Sequence, residues 1–403
     1  MPIRSKLAAI VNPKSLVLGL LVSGLAASSA AASPNTGQLD VAIEREHAAG
    51  RFDGVVLVGK ADAVAYQRAI GLADRAANRP HTVDAVWRWA SVSKQLAAVL
   101  AMQQVEKGAV TLDSKLSTLL PAFKAPRATD ISLRMLLQHT SGLPNPNAEP
   151  GFYSAQFNSD SGPVDAALRF CSGKPVGEPG ARFSYNNCDT LVLQAVLERL
   201  TGLPYARLLQ DAVAKPLGLA QLSLMPVRRD ANGVATPTGY IDANTAEPGI
   251  NIASFGAAGA VRGTPQELWQ FDRALMQGRL LGQHALRLLW QGEPKLGYVA
   301  LGAWSFPARL AGCTATVELV ERRGEIGGVQ VRNLIAPALD AALIVFSNTA
   351  QTGFGEIWQG KGLSHELASA AFCAAAVPAA SVAVQPAALP PPGRAPVAAP
   401  KSP

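Results

Sequence analysis

Two side chains in the stretch WRWASVSKQL, residues 87–96, have the types and spacing of a nucleophile and its helper. Ser91 and Lys94 are three residues apart, so on a helix they lie on one face, about one turn from each other. The unpaired N–H groups and the dipole at a helix start favour negative charge on the serine oxygen, and a neighbouring amine can help to remove its proton. The pair therefore predicts a nucleophilic serine, although it also fits a helix cap followed by a solvent-reaching lysine.

A second candidate group lies in PGARFSYNN, residues 179–187, where Tyr185 and Asn187 form a Y-x-N arrangement. A phenol beside cations has a lowered pKa and can carry a proton from the serine to a leaving group. The amide of Asn187 has the groups to bond Lys94 and to donate to a substrate amide. Taken alone, these residues also fit a buried tyrosine with a satisfied hydroxyl and an asparagine in a turn.

The charge and the scattered metal-binding residue types argue against several other functions. The chain has a net charge of +7, and five of its basic residues lie in two terminal segments, which leaves the core near +2 without a Lys/Arg run. Nucleic-acid binding therefore has no support, and a membrane-surface role has little. The five histidines are scattered and none of the four cysteines has C-x-x-C spacing, so no metal site is expected.

Both ends of the chain differ in composition from the middle. Residues 1–32 combine three basic residues, an apolar run and small residues, with Ala30 and Ala32 in an A-x-A arrangement, which predicts a secretory signal rather than a membrane span. Residues 374–403 are dense in Ala, Pro and Val and predict an extended, disordered tail. We therefore expect one large periplasmic or secreted domain over residues 33–373, with no stable membrane anchor after cleavage.

The cysteines of an exported chain are free to form disulfides. The four are Cys171, Cys188, Cys313 and Cys373, which allow three full pairings. Proximity in the chain favours Cys171–Cys188 and Cys313–Cys373.

The elements that position these residues follow from the apolar pattern. Residues 52–74 alternate and predict a β-hairpin, and residues 91–108 are apolar nearly all round and predict a buried helix. Thr264 and Glu267 have the spacing of a capping box. Further helices are expected at 188–202, 264–278 and 362–372, and late strands at 298–306, 314–320, 328–336 and 342–348.

Strands at both ends with helices between them predict an α/β (α+β) fold. We expect an antiparallel sheet built from both chain termini and flanked by helices, with an inserted all-helical lobe. The sheet lobe is expected over about residues 40–110 and 290–373, and the helical lobe over about 111–289.

Together these stretches resemble the serine β-lactamase and penicillin-binding-protein superfamily, in particular its class C, D-alanyl-D-alanine carboxypeptidase and esterase branch. AVWRWASVSKQLAAVLAMQQVEKG resembles the nucleophile helix of the family, ISLRMLLQHTSGLP a family loop, and PGARFSYNN its tyrosine element. LPYARLLQDAVAKPLGL, AAGAVRGTPQELWQF and LGAW also follow in the family order. The resemblance runs over about residues 40–372 and implies the β-lactamase/transpeptidase-like fold.

The resemblance implies that Ser91 is acylated by a carbonyl carbon while Lys94 and Tyr185 carry protons. The backbone N–H of Ser91 and one from a strand edge would hold the oxyanion, and water would release the acyl group. No cofactor or metal is required. The substrates that the resemblance implies are an ester, a D-amino-acid peptide or a β-lactam.

The third family element, usually K-T-G or H-x-G, is altered here. VERRGEIGG, residues 320–328, places Arg322, Arg323 and Gly324 at that position. Arg322 would hold a substrate carboxylate in two contacts, and the N–H of Glu325 would be the second oxyanion donor. The carboxylate of Glu325 would repel an anionic substrate or pair with an arginine. The same residues also fit surface arginines of a hairpin.

Other residues have milder interpretations. Lys295, Leu296 and Gly297 form a literal K-x-G, but they come one strand too early for the family order. His139 is expected to brace a loop, and Trp304 to belong to the core.

Two classes of function remain. The first is an exported serine hydrolase that works through a Ser91 acyl-enzyme on a small-molecule or peptide substrate. The alternative is a non-catalytic binding or sensing protein that keeps the scaffold, which the altered third element favours. The sequence leaves the substrate class, the oligomeric state and the role of the tail open.

Overall fold

The structure is a computed structural model, and it describes residues 33–148, 153, 168–225 and 236–373. The predicted secretory signal and the predicted Ala/Pro-rich tail lie outside these described residues. No helix within them combines the length and the apolar character that a membrane crossing requires.

The strands give the sheet that the sequence predicts. In chain order they are β1 (Gly54–Lys60), β2 (Ala63–Ile70), β3 (Leu72–Asp74), β4 (Arg79–Pro80), β5 (Trp87–Arg88), β6 (Ser223–Leu224), β7 (Val261–Gly263), β8 (Trp304–Ala308), β9 (Val317–Ile326), β10 (Val329–Ala336) and β11 (Ala341–Ser347). Among the described residues, the main sheet has the order β2-β1-β11-β10-β9-β8, with antiparallel neighbours throughout. The pairing of β1 with β11 joins the two ends of the folded chain, which confirms a sheet built from both termini.

The helices cover this sheet on both faces. They are α1 (Thr36–Ala48), α2 (Ser93–Glu106), α3 (Leu116–Leu119), α4 (Leu133–Leu137), α5 (Cys188–Thr201), α6 (Tyr205–Leu209), α7 (Lys215–Leu217), α8 (Pro265–Met276), α9 (Gln283–Leu289) and α10 (Leu363–Phe372). The predicted capping box is present at the start of α8, where the Thr264 hydroxyl accepts from Glu267 N and the Glu267 carboxylate accepts from Thr264 N.

Strand β1 is apolar at each of residues 55–58 instead of alternating as expected, whereas β2 does alternate between exposed and partly buried residues. Val55 and Leu57 belong to the core cluster that includes α2 and α8, whereas Val56 and Val58 belong to the cluster that includes α1 and α10. Because successive strand residues point to opposite faces, a strand covered by helices on both faces needs apolar residues at every position.

Helix α2 directly follows the turn that carries the candidate nucleophile, and it lies in the interior of the protein. Nearly all of its residues are buried, and it contacts α5, α9 and the turn Ile252–Ala258 as well as the strand layer. A helix packed on all sides has no polar stripe, which explains the apolar sequence that predicted it.

The inserted region between α2 and β8 is mainly helical and also holds two very short strands. β6 and β7 join β5 in a small sheet of order β5-β7-β6. Strands of two or three residues are too short to leave an alternating pattern in the sequence.

The predicted strand at residues 298–306 is only partly present. Residues 298–303 form a tight turn, in which Ala300 N donates to Ala303 O at 2.8 Å, and the strand begins at Trp304. Gly302, with φ +77°, approaches α2 so closely that a Cβ there would lie 2.6 Å from the Cβ of Ala98. The apolar side chains of this segment therefore pack in a turn against α2, a possibility that alternation alone does not reveal.

Candidate active site

The candidate nucleophile lies in a tight turn that leads into α2. Ser91 is half-buried in the 3₁₀ turn Ala90–Val92, and α2 follows directly. Ala90 has φ +47°, which is uncommon for a residue with a side chain. The Ser93 hydroxyl donates to Ala90 O at 2.6 Å and accepts from Val261 N at 3.1 Å. The second serine of the motif therefore holds the turn that presents the first.

The Ser91 hydroxyl lies between two groups that can take its proton. Lys94 Nζ is 3.1 Å from Ser91 Oγ, and the Tyr185 hydroxyl is 2.7 Å from the same oxygen. The structure thus brings together the three residues to which the sequence analysis assigns the chemistry. Their separation is that of hydrogen-bonded partners, the arrangement that a nucleophile and its base require.

Lys94 is held by neutral partners inside the protein. Its Nζ donates to Asn187 Oδ1 at 2.7 Å and to Ala258 O at 2.6 Å, in addition to Ser91, and the residue is 2% exposed. Burial lowers the pKa of Lys94 to about 8, although attraction to Tyr185 opposes part of this effect. Lys94 is therefore a buried amine with a pKa of about 8, and it does not reach solvent as the capping interpretation would require.

Tyr185 has an unusually acidic phenol. Burial alone would raise its pKa, but the positive charges of Lys94 and Arg322 outweigh that effect and lower the pKa to about 8. A group whose pKa lies near the working pH is suited to accept and return a proton within one catalytic cycle.

Arg322 lies inside the site. Its Nε donates to Ser91 O at 2.8 Å and its Nη2 donates to the Tyr185 hydroxyl at 2.9 Å. The guanidinium carbon is 5.2 Å from the ring centres of both Tyr185 and Trp304, and the residue is 1% exposed. Arg322 thus binds the nucleophile's backbone and the phenol. The rival Lys295 is exposed in the 3₁₀ turn Pro294–Leu296.

Gly324 allows strand β9 to approach the nucleophile. A Cβ at this position would lie 2.6 Å from Trp89 O, 3.1 Å from Ser91 N and 3.1 Å from the Cβ of Ala90. β8 pairs with β9 only as far as Glu321, so the edge of β9 beside Ser91 is not covered by that strand. The Ser91 amide and the amide of Glu325, the residue after Gly324, are the oxyanion donors that the sequence predicts.

Replacing Gly324 with alanine should damage both stability and activity. The new Cβ meets backbone atoms, which move only if β9 and the nucleophile turn separate, and overpacking of this kind costs about 1–3 kcal/mol. We expect a melting temperature lower by several degrees and a kcat at least about tenfold lower. Gly353→Ala is the matched control, because a Cβ there meets nothing within 4 Å. Equal behaviour of the two variants in thermal melts and rate assays would contradict the close approach.

Arg323 and Glu325 lie on the face of β9 opposite to Arg322, because strand side chains alternate. Arg323 pairs with Glu321 at 2.8 Å and with Glu356 at 2.6 Å. Glu325 is exposed and, among the described residues, has no salt-bridge partner within 4 Å. The predicted pairing of Glu325 with Arg322 or Arg323 is therefore not formed.

Asn187 occupies its predicted place, but its amide is fully used by the protein. In addition to the bond from Lys94 to its oxygen, Asn187 Nδ2 donates to Asn147 Oδ1 at 2.9 Å and to the Tyr153 hydroxyl at 3.1 Å. Asn145 Oδ1 accepts from Asn187 N at 3.3 Å. A substrate amide would have to displace Asn147 or Tyr153 to reach this donor.

A cluster of buried, hydrogen-bonded polar side chains supports the turn that carries Tyr185. Asp189 accepts from Asn186 Nδ2 at 2.9 Å and from the hydroxyl of Ser141, and its other contact is His139 Nδ1 at 3.2 Å. Burial, together with the charges of Arg322 and Lys94, lowers the pKa of His139 well below its usual range, so the ring is neutral and braces the loop as expected. The cluster joins the HTSG loop to the turn that carries Tyr185.

Some site residues were not identified from the sequence. Asn145, Asn147 and Tyr153 follow the HTSG loop in the chain, and the two asparagines in PNPN were the available signal. Trp304, expected in the core, is half-buried and stacks on Arg322. Within the described part of the chain, no group of three His, Cys, Asp or Glu side chains is arranged to hold a metal ion.

The disulfides are paired as proximity in the chain predicts, and one of them lies in the site. The first disulfide, Cys171–Cys188, anchors the residue that directly follows Asn187. The second, Cys313–Cys373, links the end of α10 to the loop before β9. The first closes 17 residues and the second closes 60. Loop-closure entropy therefore gives the second the larger stabilisation, about 4 kcal/mol against about 3 kcal/mol.

Removing each disulfide should separate stability from activity. We expect the double variant Cys313→Ala/Cys373→Ala to lose more free energy of unfolding than the double variant Cys171→Ala/Cys188→Ala. The second variant should instead show the larger loss of kcat, because removing that disulfide frees the turn that holds Tyr185 and Asn187. Denaturant melts and kcat measured well below the melting temperature check both halves. A larger kcat loss in the Cys313/Cys373 variant would contradict the positioning role of the first disulfide.

Comparison with known proteins places this geometry in a family. Residues 39–359 match the family model described as Beta-lactamase. Esterase EstB of Burkholderia gladioli is 30% identical over 248 residues, which cover 58% of this chain and 63% of that protein, so the chain spans less than two thirds of this relative.

Two solved structures share the fold. D-amino acid amidase from Ochrobactrum anthropi SV3, solved with L-phenylalanine amide, superposes with a TM-score of 0.69 at 21% identity and covers 83% of this chain and 97% of its own. A penicillin-binding protein from Bacillus halodurans superposes with a TM-score of 0.65 at 23% identity, covering 78% and 96%. With a family model that matches well over half of its residues, this chain belongs to the Beta-lactamase family.

Proposed function

We propose that this protein is an exported serine hydrolase that works through an acyl-enzyme on Ser91. The observation that carries the proposal is the pair of hydrogen bonds to Ser91 Oγ, at 3.1 Å from Lys94 and 2.7 Å from Tyr185. A serine that only capped a helix would need neither a buried amine nor an acidic phenol on its oxygen. The substrate classes are an ester, a D-amino-acid peptide or amide, and a β-lactam.

The geometry supports a two-step acyl transfer. Ser91 Oγ attacks the substrate carbonyl carbon, and its proton passes to the phenolate of Tyr185, whose charge Lys94 and Arg322 stabilise. The carbonyl oxygen becomes an oxyanion at the amides of Ser91 and Glu325. As the carbonyl–leaving-group bond breaks, the phenol returns the proton to the leaving group. The same phenolate then takes a proton from a water molecule, whose oxygen attacks the acyl carbon. As the bond between the acyl carbon and Ser91 Oγ breaks, Tyr185 gives this proton to Ser91 Oγ, so that the acid leaves and both the serine hydroxyl and the phenolate are restored.

The names of related proteins favour hydrolysis over simple binding. The relative above is an esterase, and a neighbour in fold is a D-amino acid amidase. Export is supported by the predicted secretory signal and by the pairing of all four cysteines in disulfides, which persist in oxidising compartments. We propose that the protein acts on small molecules or peptides, and nothing in its charge favours nucleic acid.

A covalent trapping experiment tests the proposal. The protein is incubated with a p-nitrophenyl ester, a labelled penicillin and a fluorophosphonate, and the intact mass and the tryptic peptides are measured. We expect an adduct on the peptide that contains Ser91, absent from the folded Ser91→Ala variant. Folded wild-type protein with no adduct from any probe and no turnover would reject the hydrolase and favour a binding protein.

A further inference from the structure

We infer that Glu247 is a positioning residue of the proposed active site, because its carboxylate ties the strand before Ser91 to the turn after β9. In this way it fixes the two backbone amides that are predicted to receive the oxyanion. The inference rests on the proposed function and deepens it, since it names a residue far from the nucleophile in the chain that controls the rate of acyl transfer.

One oxygen of Glu247 binds both of these segments. Glu247 Oε2 accepts from Arg88 Nη2 in β5 and, at 2.9 Å, from Gly328 N in the turn between β9 and β10. Both charged side chains are largely buried, with 8% of Arg88 and 15% of Glu247 exposed. Hydrogen bonds to a charged group with little water around it are strong, so this oxygen links the two segments firmly.

The link lies close to the reacting groups on both sides. Arg88 is three residues before Ser91, and Gly328 is three residues after Glu325. Arg322 makes a second link between the same two segments, from its Nε to Ser91 O at 2.8 Å. The amides of Ser91 and Glu325 therefore lie between two links, which together limit how far the nucleophile turn and β9 can separate.

The backbone fits closely around the carboxylate. A Cβ at Gly239 or at Gly327 would lie 2.2 Å from Glu247 Oε2, and Gly327 has φ +57°. Glu247 N donates to Gly239 O at 2.9 Å, which fixes the start of the side chain. The carboxylate is thus confined to the position from which it reaches both donors.

The loop that carries Glu247 is anchored away from the nucleophile. Just after β11, Asn348 O accepts from Tyr240 N, and Ala350 N donates to Tyr240 O, both at 2.8 Å. The guanidinium carbon of Arg75 lies 3.9 Å from the centre of the Tyr240 ring. Because these contacts do not involve the nucleophile turn, Glu247 sets the position of the oxyanion donors from an anchored loop.

A comparison of oxygen with sulfur at the substrate carbonyl tests the inference. 4-Nitrophenyl acetate and O-(4-nitrophenyl) thionoacetate differ only in the atom that becomes the anion, and both release nitrophenol. Sulfur is a weak hydrogen-bond acceptor, so the ratio of kcat/KM between the two esters reports how well the oxyanion amides are placed. This oxygen-to-sulfur ratio does not depend on the concentration of active enzyme, so partial unfolding leaves it unchanged.

Two variants break the link. Arg88→Met/Glu247→Leu removes both charges together, because loss of Glu247 alone would leave a buried arginine without this partner, which is strongly destabilising. Arg88→Met breaks the same link from its other end, so the test does not depend on one folded variant. Loss of one oxyanion donor lowers the rate by about 10²–10³-fold, and a displaced donor costs part of this. We expect kcat/KM for the acetate to fall at least about tenfold and the oxygen-to-sulfur ratio at least about threefold in both variants.

Two further variants separate positioning from stability. Glu247→Gln keeps an oxygen that can accept from both donors but loses the ion pair, so it should lower the melting temperature and keep the ratio within about twofold of the wild type. Glu46→Gln is the matched control in α1, since this carboxylate also pairs with arginines, Arg45 at 3.0 Å and Arg51 at 2.8 Å. It should likewise lower the melting temperature without changing the ratio.

The outcomes distinguish this inference from the proposed function. A wild-type ratio in both Arg88→Met and Arg88→Met/Glu247→Leu would overturn the positioning role, as would a ratio that follows the melting temperature across all four variants. Turnover of the acetate by the wild type would then still uphold the hydrolase. No turnover of either ester, together with no adduct on Ser91, would reject both.

Discussion

Replacing Ser91 with alanine should lower kcat/KM for a p-nitrophenyl ester by at least about 10⁴-fold, while the protein stays folded. The half-buried hydroxyl is the atom on which Lys94 and Tyr185 converge, so its removal leaves the two proton carriers without a nucleophile. Nucleophile deletions in enzymes that form acyl intermediates cause losses of this size, because only oxyanion stabilisation and substrate positioning remain. Since one small oxygen is lost from a partly exposed position, the melting temperature should change by only a few degrees.

Ser93→Ala is the informative comparison, since it removes a hydroxyl two residues away in the same turn. Ser93 is fully buried and bonds Ala90 O and Val261 N, so its loss should lower stability by about 1–2 kcal/mol. Its effect on kcat/KM should be smaller than that of Ser91→Ala by at least about a hundredfold. If both variants lost activity equally, Ser91 would be a structural residue of the turn.

The chemistry of this site was more predictable than the way it binds substrate, and the reason is physical. Ser91 and Lys94 lie one helical turn apart, a relation that the chain fixes locally once α2 forms. The hydrophobic pattern likewise determined the hairpin and the ends of α5 and α8. The periodicity of apolar residues and the helix caps depend on residues that are close together in the chain, so they can be identified from the sequence alone.

Contacts between segments that are far apart in the chain depend on the tertiary fold, so local sequence patterns do not reveal them. Strand alternation places Arg322 and Gly324 on one face of β9, but it does not show that the guanidinium reaches Ser91 O and the Tyr185 hydroxyl. The same holds for Asn147, which uses an Asn187 hydrogen that the sequence analysis reserved for substrate. Each of these contacts joins residues that are 40 or more positions apart and depends on the tertiary packing of the segments that carry them.

The contacts of Arg322 explain what an arginine provides at the position where the family usually has a lysine or a histidine. Two separate nitrogens of one planar guanidinium bind Ser91 O and the Tyr185 hydroxyl at 2.8 and 2.9 Å. A lysine would offer one nitrogen for both acceptors, and a histidine would lose its charge near neutral pH. An arginine therefore supplies a permanent charge beside the phenol and also fixes the nucleophile turn.

The Tyr185→Phe variant should lower kcat/KM by about 10²–10⁴-fold, the usual range for a group that carries protons in the transition state. The buried phenol has a pKa lowered to about 8 by Lys94 and Arg322, so in the wild type the reactive phenolate is present above that pH. We therefore expect the wild-type kcat/KM to rise with pH up to about 8, where Lys94, whose pKa is also about 8, begins to lose the charge that stabilises the phenolate. The variant keeps the ring and its packing but has no titrating oxygen on Ser91 Oγ.

The pH profile of the residual activity separates the two proton carriers. In the wild type, attraction to Tyr185 raises the pKa of Lys94 and opposes the effect of burial. When the phenolate is gone, this attraction disappears, so the lysine should lose its proton at a lower pH than before. If Lys94 takes over as base in Tyr185→Phe, the pH at which kcat/KM rises should therefore shift below 8, while the highest kcat/KM that the variant reaches should fall. A variant that retained the wild-type rate and the wild-type pH dependence would show that Lys94 alone removes the proton of Ser91, and that Tyr185 is a structural partner of Arg322.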